Sequence, residues 1–237
     1  CLEDSDEQLN LTQFTQPALY TVNALTYLKN KQDTKRQPDF MAGHSLGEYN
    51  ALLAAGVFDF ETGLTLVQKR GALMAEAKGG GMAAVLGMDI QQIREVIQNS
   101  GSKEVSVANL NAPQQTVLTG SKEGILEIKS AFESAGAKRY IPLNVSGAFH
   151  SPFMEPARKE FKTFLKSFTF GSPTIPVISN VEATPYPRDG VAELLAQQIT
   201  SPVRWVETIQ YLKKQSDPAF EEMGPGKVLR GLIRQIS

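Results

Sequence analysis

The sequence predicts an α/β fold, a main body interrupted by a small ferredoxin-like subdomain, and three observations carry that prediction. A short apolar stretch at residues 38–42 runs directly into Gly43-His44-Ser45-Leu46-Gly47 and then into a helix-prone segment, a strand–turn–helix unit. Between Gly81 and Val145 the pattern becomes strand, helix, strand, strand, helix, strand, which is the split βαβ order of a ferredoxin-like unit. Beyond that unit, amphipathic helices again alternate with short apolar strands.

Each element has its own signal. From Gln16, the residues Pro17, Leu19, Tyr20, Val22, Leu25 and Leu28 have helical spacing, with the proline in a first-turn position. The polar run 29–37 reads as a loop. Residues 48–55 form a helix that Gly56 stops, and 61–78 form a second one closed by Gly79-Gly80-Gly81. In the small unit, strands are expected at 82–86, 105–108, 116–118 and 139–143. Residues 109–115 supply the turn of the central hairpin. A helix spans 90–97, and Ser121 caps another that runs to about Ser134. The three glycines suit a hinge. From Ser146 the main body resumes with a helix at 155–168, a strand at 175–179 and helices near Val191 and Pro202. A final strand at 219–223 runs into Gly224-Pro225-Gly226. The expected division is therefore 1–80 with 146–237 as an α/β-hydrolase-like large subdomain, and 81–145 as the small one.

Bulk properties narrow the function classes. The 237 residues are 41% hydrophobic and 21% charged, enough for a sizeable globular core. The net charge of −1 gives no global attraction to nucleic acid or to a membrane surface. No run approaches ~18 consecutive apolar residues, and the acidic start (Glu3, Asp4, Asp6, Glu7) is unlike a signal peptide. The single cysteine, Cys1, excludes an internal disulfide and suits a reducing cytoplasm.

The chemistry centres on the glycine turn. A serine on a tight strand-to-helix turn is held out at the sheet's edge, and the helix that follows aims its first amides at a developing oxyanion. Ser45 is the candidate nucleophile, and the N–H of Leu46 the candidate oxyanion donor. The bland reading is an ordinary turn that contains serine. The chain holds two histidines. His44 is adjacent to Ser45 and diverges from it, which leaves His150 as the candidate base. The order serine then histidine matches an α/β-hydrolase only partly, because no late acid and C-terminal histidine complete it. A dyad fits better. In the helix at 61–78, Arg70 lies on the face of Leu66, Val67, Leu73 and Met74. A guanidinium there needs an anionic partner, either an internal carboxylate or the carboxylate of an acyl substrate.

Together these residues resemble the malonyl-CoA:acyl carrier protein transacylase family, closest to the free-standing acyltransferases of trans-acyltransferase polyketide synthases. The marks, in order, are Gly43-His44-Ser45-Leu46-Gly47-Glu48-Tyr49, Gln68-Lys69-Arg70-Gly71, Gly147-Ala148-Phe149-His150-Ser151, Gln198 with Ser201-Pro202-Val203-Arg204-Trp205, and Gly224-Pro225-Gly226-Lys227-Val228-Leu229. They span essentially the whole chain. The resemblance implies a Ser45 acyl-enzyme, His150 as general acid and base, Arg70 pairing with the malonyl carboxylate and Leu46 in the oxyanion hole. It implies that the main-chain carbonyl of Gln198 holds the histidine ring. It also implies that Phe149 crowds an α-methyl branch, a discrimination of ~1–3 kcal/mol. His44 and Asn111 join Arg70 and Phe149 as substrate-binding candidates; Asn109 and Asn111 would line the cleft, although asparagines in a hairpin turn are commoner than ligands.

The implied substrate is malonyl-CoA and the implied acceptor is an acyl carrier protein with its phosphopantetheine thiol, in polyketide or fatty-acid biosynthesis. No metal or redox cofactor is needed. The alternative is an editing acyl hydrolase on the same scaffold, against which Arg70 argues. The family opens with a strand and a Gly-Gln-Gly-x-Gln loop whose glutamine is the second oxyanion donor. This sequence starts just after that segment, so the expected core lacks its N-terminal strand.

Overall fold

The structure is a computed structural model that describes residues 4, 7–145, 147–215 and 218–237. Cys1 and Ser146, both invoked above, lie outside the described residues. The main body begins with α1 (Thr12–Thr34), followed by β1 (Met41–Ala42), α2 (Gly47–Ala54) and α3 (Phe60–Glu76). The small unit comprises β2 (Gly80–Leu86), α4 (Ile90–Asn99), β3 (Val105–Ala112), β4 (Gln115–Ser121), α5 (Lys122–Glu127), α6 (Lys129–Ser134) and β5 (Arg139–Pro142). The body then resumes with α7 (Glu155–Leu165), β6 (Val177–Ile178), α8 (Val191–Gln198), α9 (Trp205–Gln215) and α10 (Val228–Ile233).

The small sheet is antiparallel in the order β3-β4-β2-β5, as the ferredoxin-like pattern requires. Its helices start where the sequence supplies caps. Asp89 and Gln92 form a reciprocal capping box on α4, and the Ser121 hydroxyl accepts the Gly124 N–H. Behind the sheet, Ala83, Val85, Ile93, Leu118, Ile125 and Phe132 close a separate core. In the main body, β1 and β6 pair in parallel, Met41 against Val177 and Ala42 against Ile178. The apolar faces of α2, α3, α7 and α8 pack into one cluster with Tyr20 of α1. The small sheet is tied to this body through β3, where Leu110 N–H donates to Val203 C=O and Val203 N–H to Ala108 C=O.

Several elements differ from expectation, each for a physical reason. Helix α1 begins before Gln16 and runs on through Thr34, so Pro17 sits inside it and residues 29–34 are helical rather than loop. Packing of α1 along α3 outweighs the one backbone bond that the proline removes. The expected turn at 109–115 shrinks to Pro113 and Gln114, because β3 and β4 continue pairing on either side. Asn109 and Asn111 therefore lie on a strand. Gly80 and Gly81 are not a hinge either; they are paired in β2 opposite Ser121 and Gly120. No strand forms at 219–223. Instead the Glu222 carboxylate accepts the N–H groups of Leu229 and Arg230 and anchors the start of α10.

Phe132 fills the centre of the small core and is fully buried. Phe132→Ala is expected to lower stability by about 3–5 kcal/mol, read from the midpoint of chemical denaturation.

Candidate active site

The turn after β1 is built by contact rather than by flexibility. A Cβ at Gly43 would meet the backbone carbon of Gly47 at 2.0 Å, so only glycine lets α2 start so close to the strand. At Gly47 a Cβ would meet open space, and that glycine is not required sterically. Ser45 itself has φ +49°, a left-handed conformation uncommon outside glycine. The strain lifts its hydroxyl off the sheet toward the chain around His150.

Four segments distant in sequence converge on that hydroxyl. Ser45 Oγ lies 2.8 Å from His150 Nε2, and His150 Nδ1 lies 2.9 Å from the main-chain oxygen of Gln198. With a carbonyl as its partner, Nδ1 carries the proton and Nε2 is the acceptor. His150 also has a left-handed backbone, φ +57°, in a loop where the Ser151 hydroxyl donates to Ala148 C=O. Burial pushes its basicity down, with the charge of Arg70 as the next cause, to a pKa of about 3. The ring is therefore neutral at physiological pH, free to accept a proton at Nε2.

Arg70, on the inner face of α3, is 1% exposed. Its Nη2 donates to Ser45 Oγ at 3.0 Å and to Gln198 Oε1 at 2.9 Å, its Nη1 donates to Gln16 Oε1 at 2.5 Å, and its charge lies 5.6 Å from the centroid of the Tyr49 ring. Among the described residues no carboxylate forms an ion pair with it. Its Nε is buried and has no hydrogen-bond partner among the described residues. A cation so enclosed by neutral acceptors has capacity left for an incoming anion.

The remaining candidates take definite places. Leu46 is at the N-cap of α2, where its N–H opens the helix. Phe149 is half-buried, packs against the main-body cluster and against Met82, Ala108 and Val117 of the small sheet, and lies over Gly147. His44 Nε2 lies 2.7 Å from Asn111 Oδ1, so these two candidates bond each other across the join between the turn and the small sheet. A bulge in β3 between Leu110 and Ala112 leaves Asn111 out of the ladder and re-aims it there. A cavity of about 540 Å³ on the far side of the turn is lined by His44, Leu46, Leu19 and Trp205, and by none of Ser45, His150 or Arg70.

Four buried polar residues escaped sequence reasoning. Gln16 holds Arg70. Glu48, in the first turn of α2, accepts from Asn180 N–H at 2.9 Å, from Tyr186 OH at 2.8 Å and from Gln198 Nε2. Burial raises its carboxyl to a pKa of about 7 against the opposing pull of those bonds and of Arg70. Asn180 and Tyr186 follow β6 and have no periodic signal. Gln16 enters the sequence reading only as the start of a helix, and Glu48 only within the quoted Gly-Glu-Tyr run.

Comparison with known proteins decides what this arrangement belongs to. The acyl transferase domain family matches residues 1–235. The chain is a member of that family, in its malonyl-CoA:acyl carrier protein transacylase branch. The polyketide biosynthesis malonyl CoA-acyl carrier protein transacylase BaeC of Bacillus velezensis is 54% identical over 237 residues, 100% of this chain and 82% of that protein. A crystal structure of a malonyl CoA-acyl carrier protein transacylase from Burkholderia pseudomallei superposes with a TM-score of 0.96 at 49% identity, over 100% of this chain and 83% of that one. A malonyl-transacylase solved with a type II PKS acyl-carrier protein has a TM-score of 0.93 at 38% identity, over 98% of this chain and 76% of that one. Among the described residues no helix is long and apolar enough to cross a membrane, and no group of His, Cys, Asp and Glu could hold a metal ion.

His150 gives the transacylase fold a pH signature. In the unfolded chain the imidazole takes up a proton near 6.5, whereas in the folded protein it resists down to about 3. Below ~6.5 the unfolded state binds more protons, so His150 costs stability as pH falls through that window. His150→Gln is expected to lose less melting temperature than the parent protein between about pH 7 and about pH 5, read by calorimetry.

Proposed function

We propose that the chain moves a malonyl group from malonyl-CoA through a Ser45 acyl-enzyme to the phosphopantetheine thiol of an acyl carrier protein, in the cytoplasm and in polyketide assembly. The observation that carries this reading is the buried Arg70 guanidinium, bonded to Ser45 Oγ and lacking an anionic partner among the described residues. Membership of the transacylase branch supports the donor and the acceptor, and the printed role of BaeC supports the polyketide setting. Residues 81–145 are taken as the small subdomain, and 1–80 with 146–237 as the large one.

The cycle has two half-reactions. His150 Nε2 takes the Ser45 proton as Oγ attacks the thioester carbonyl, and the collapsing intermediate expels the coenzyme A thiolate, which takes that proton from His150. The carrier's thiol then gives its proton to His150, attacks the malonyl-serine, and Ser45 leaves with the proton restored. The N–H of Leu46, at the positive end of α2, stabilises the oxyanion in both halves. Gln198 C=O holds the imidazole in the tautomer that accepts at Nε2. Arg70 seats the malonyl carboxylate, and Phe149 limits room beside the α-carbon. His44 and Asn111 fix the small subdomain over the turn and border the substrate.

Arg70 also links binding to reactivity. Its charge is a cause of the depressed basicity of His150. Burial is the larger cause and stays, but a malonyl carboxylate paired with Arg70 offsets that charge and raises the basicity of the histidine when substrate is in place.

The test is labelled malonyl-CoA with holo-carrier protein. Labelled carrier is expected; free malonate with no labelled carrier would show an editing hydrolase instead. Ser45→Ala should form no acyl-enzyme by intact-mass measurement, and persistent labelling would sink the nucleophile assignment. Arg70→Ala should lower kcat/KM for malonyl-CoA by about 10²-fold relative to acetyl-CoA, the scale of a lost charge-assisted bidentate pair. Equal loss for both donors would refute the selector role.

A further inference from the structure

The ladder between β1 and β6 stops at Ala42 and Ile178, one residue before the strained turn begins. Beyond it, Gly43 C=O and Ser45 N–H point toward the β6 side with no backbone opposite them. The side chain of Asn180 takes that place. Its Oδ1 accepts the Ser45 N–H at 2.7 Å, and its Nδ2 donates to Gly43 C=O at 2.7 Å. One carboxamide thus spans both ends of the turn, as a peptide group of a third paired residue would. Only this orientation of the amide satisfies both bonds.

Asn180 is itself held on every side. It is 1% exposed, its own N–H donates to Glu48 Oε1 at 2.9 Å, and its C=O accepts the Arg204 N–H at 3.1 Å. Glu48 in turn takes the Tyr186 hydroxyl and the Gln198 carboxamide, and the same Gln198 Nε2 donates to Ser45 C=O at 2.9 Å. The geometry points to Asn180 as a positioning residue for acyl transfer: by clamping Gly43 and Ser45 it holds the nucleophile in its left-handed conformation and keeps the Ser45 N–H occupied, so that the Leu46 amide is the one presented to the oxyanion. Glu48 is the anchor of that clamp. This rests on Ser45 being the nucleophile, as proposed above.

Loosening the turn displaces Oγ from His150 and from Leu46 together, and a shift of ~1 Å costs on the order of 10²-fold in rate. The readout is the rate at which a fluorophosphonate, which carries no carboxylate, labels Ser45 in the full chain, with the folded fraction checked by thermal denaturation. Asn180→Ala is expected to slow labelling per folded molecule by about 10²-fold. Asn180→Asp sets a carboxylate against Gly43 C=O at high pH, but once protonated it regains both the acceptor and the donor.

The charged or titratable groups around the clamp are Glu48 and Tyr49 on α2, Glu182 and Tyr186 after β6, Arg204 before α9, Arg70 on α3, His150 and His44, and both variants keep them all. The rate of Asn180→Asp relative to the parent protein should therefore rise as pH falls, while the ratio for Asn180→Ala stays level. Labelling at the parent rate in Asn180→Ala, or a loss with the same pH dependence in both variants, overturns the positioning role. Absence of malonyl transfer by the parent protein strikes at the proposed substrate alone, since the labelling rates are read without it.

Discussion

A guanidinium buried without an ion-pair partner among the described residues organises this protein. Taking a charge of that size out of water costs several kcal/mol unless polar groups replace the solvent. Around Arg70 they are neutral or shared: Gln16 and Gln198 carbonyl oxygens, the Ser45 hydroxyl and the face of Tyr49. Each also fixes something else. Gln16 pins α1 to α3, Gln198 belongs to α8, and Ser45 belongs to the turn after β1. The cation therefore stitches together the elements that the core packs only approximately, and the fork of five donors on arginine makes this possible where one lysine ammonium would not.

Gln198 carries the other half of that organisation. Its main-chain carbonyl orients His150, while its side chain accepts from Arg70 and donates to Ser45 C=O and to Glu48. A carboxylate in place of the carbonyl would stabilise an imidazolium more strongly, but on the proposed reading it would also compete with the malonyl carboxylate for the charge of Arg70. A neutral acceptor orients the ring without doing so. The acid that a triad would place beside the histidine is present as Glu48, one residue further out, where it braces Gln198 and Asn180 rather than the base.

The sequence made the local half of this legible. The turn could be read because strand, small residues and helix are consecutive, and Arg70 because its face repeats at the helical period. The cap at Ser121 was equally local, and the split βαβ order followed from strands and helices that the structure shows. Pairings across 100 residues or more were not legible: Gln198 was reached only through a resemblance, and Asn180 and Tyr186 have no pattern of their own. Each misread element answers to a partner rather than to its own propensity. Extension of α1 through Thr34 depends on packing against α3, remote in sequence, while continuation of β3 past Asn109 and the anchoring of α10 by Glu222 depend on nearby partners whose pairing overrides the local turn and strand propensities.

The two asparagines of the hairpin show what that dependence does for the site. In a turn they would face solvent. On β3, the bulge that aims Asn111 at His44 and the bridge that joins Asn109 to Val203 put the small sheet in contact with the nucleophile turn and with the loop after Gln198. The small sheet is thereby tied through one strand, β3, both to His44, the neighbour of Ser45, and to Val203. On the proposed reading the small subdomain is mechanically continuous with the turn that bears the acyl group. Motion of that subdomain then reaches the malonyl-serine through the 2.7 Å contact between His44 and Asn111 and through the backbone bonds that join Ala108 and Leu110 to Val203.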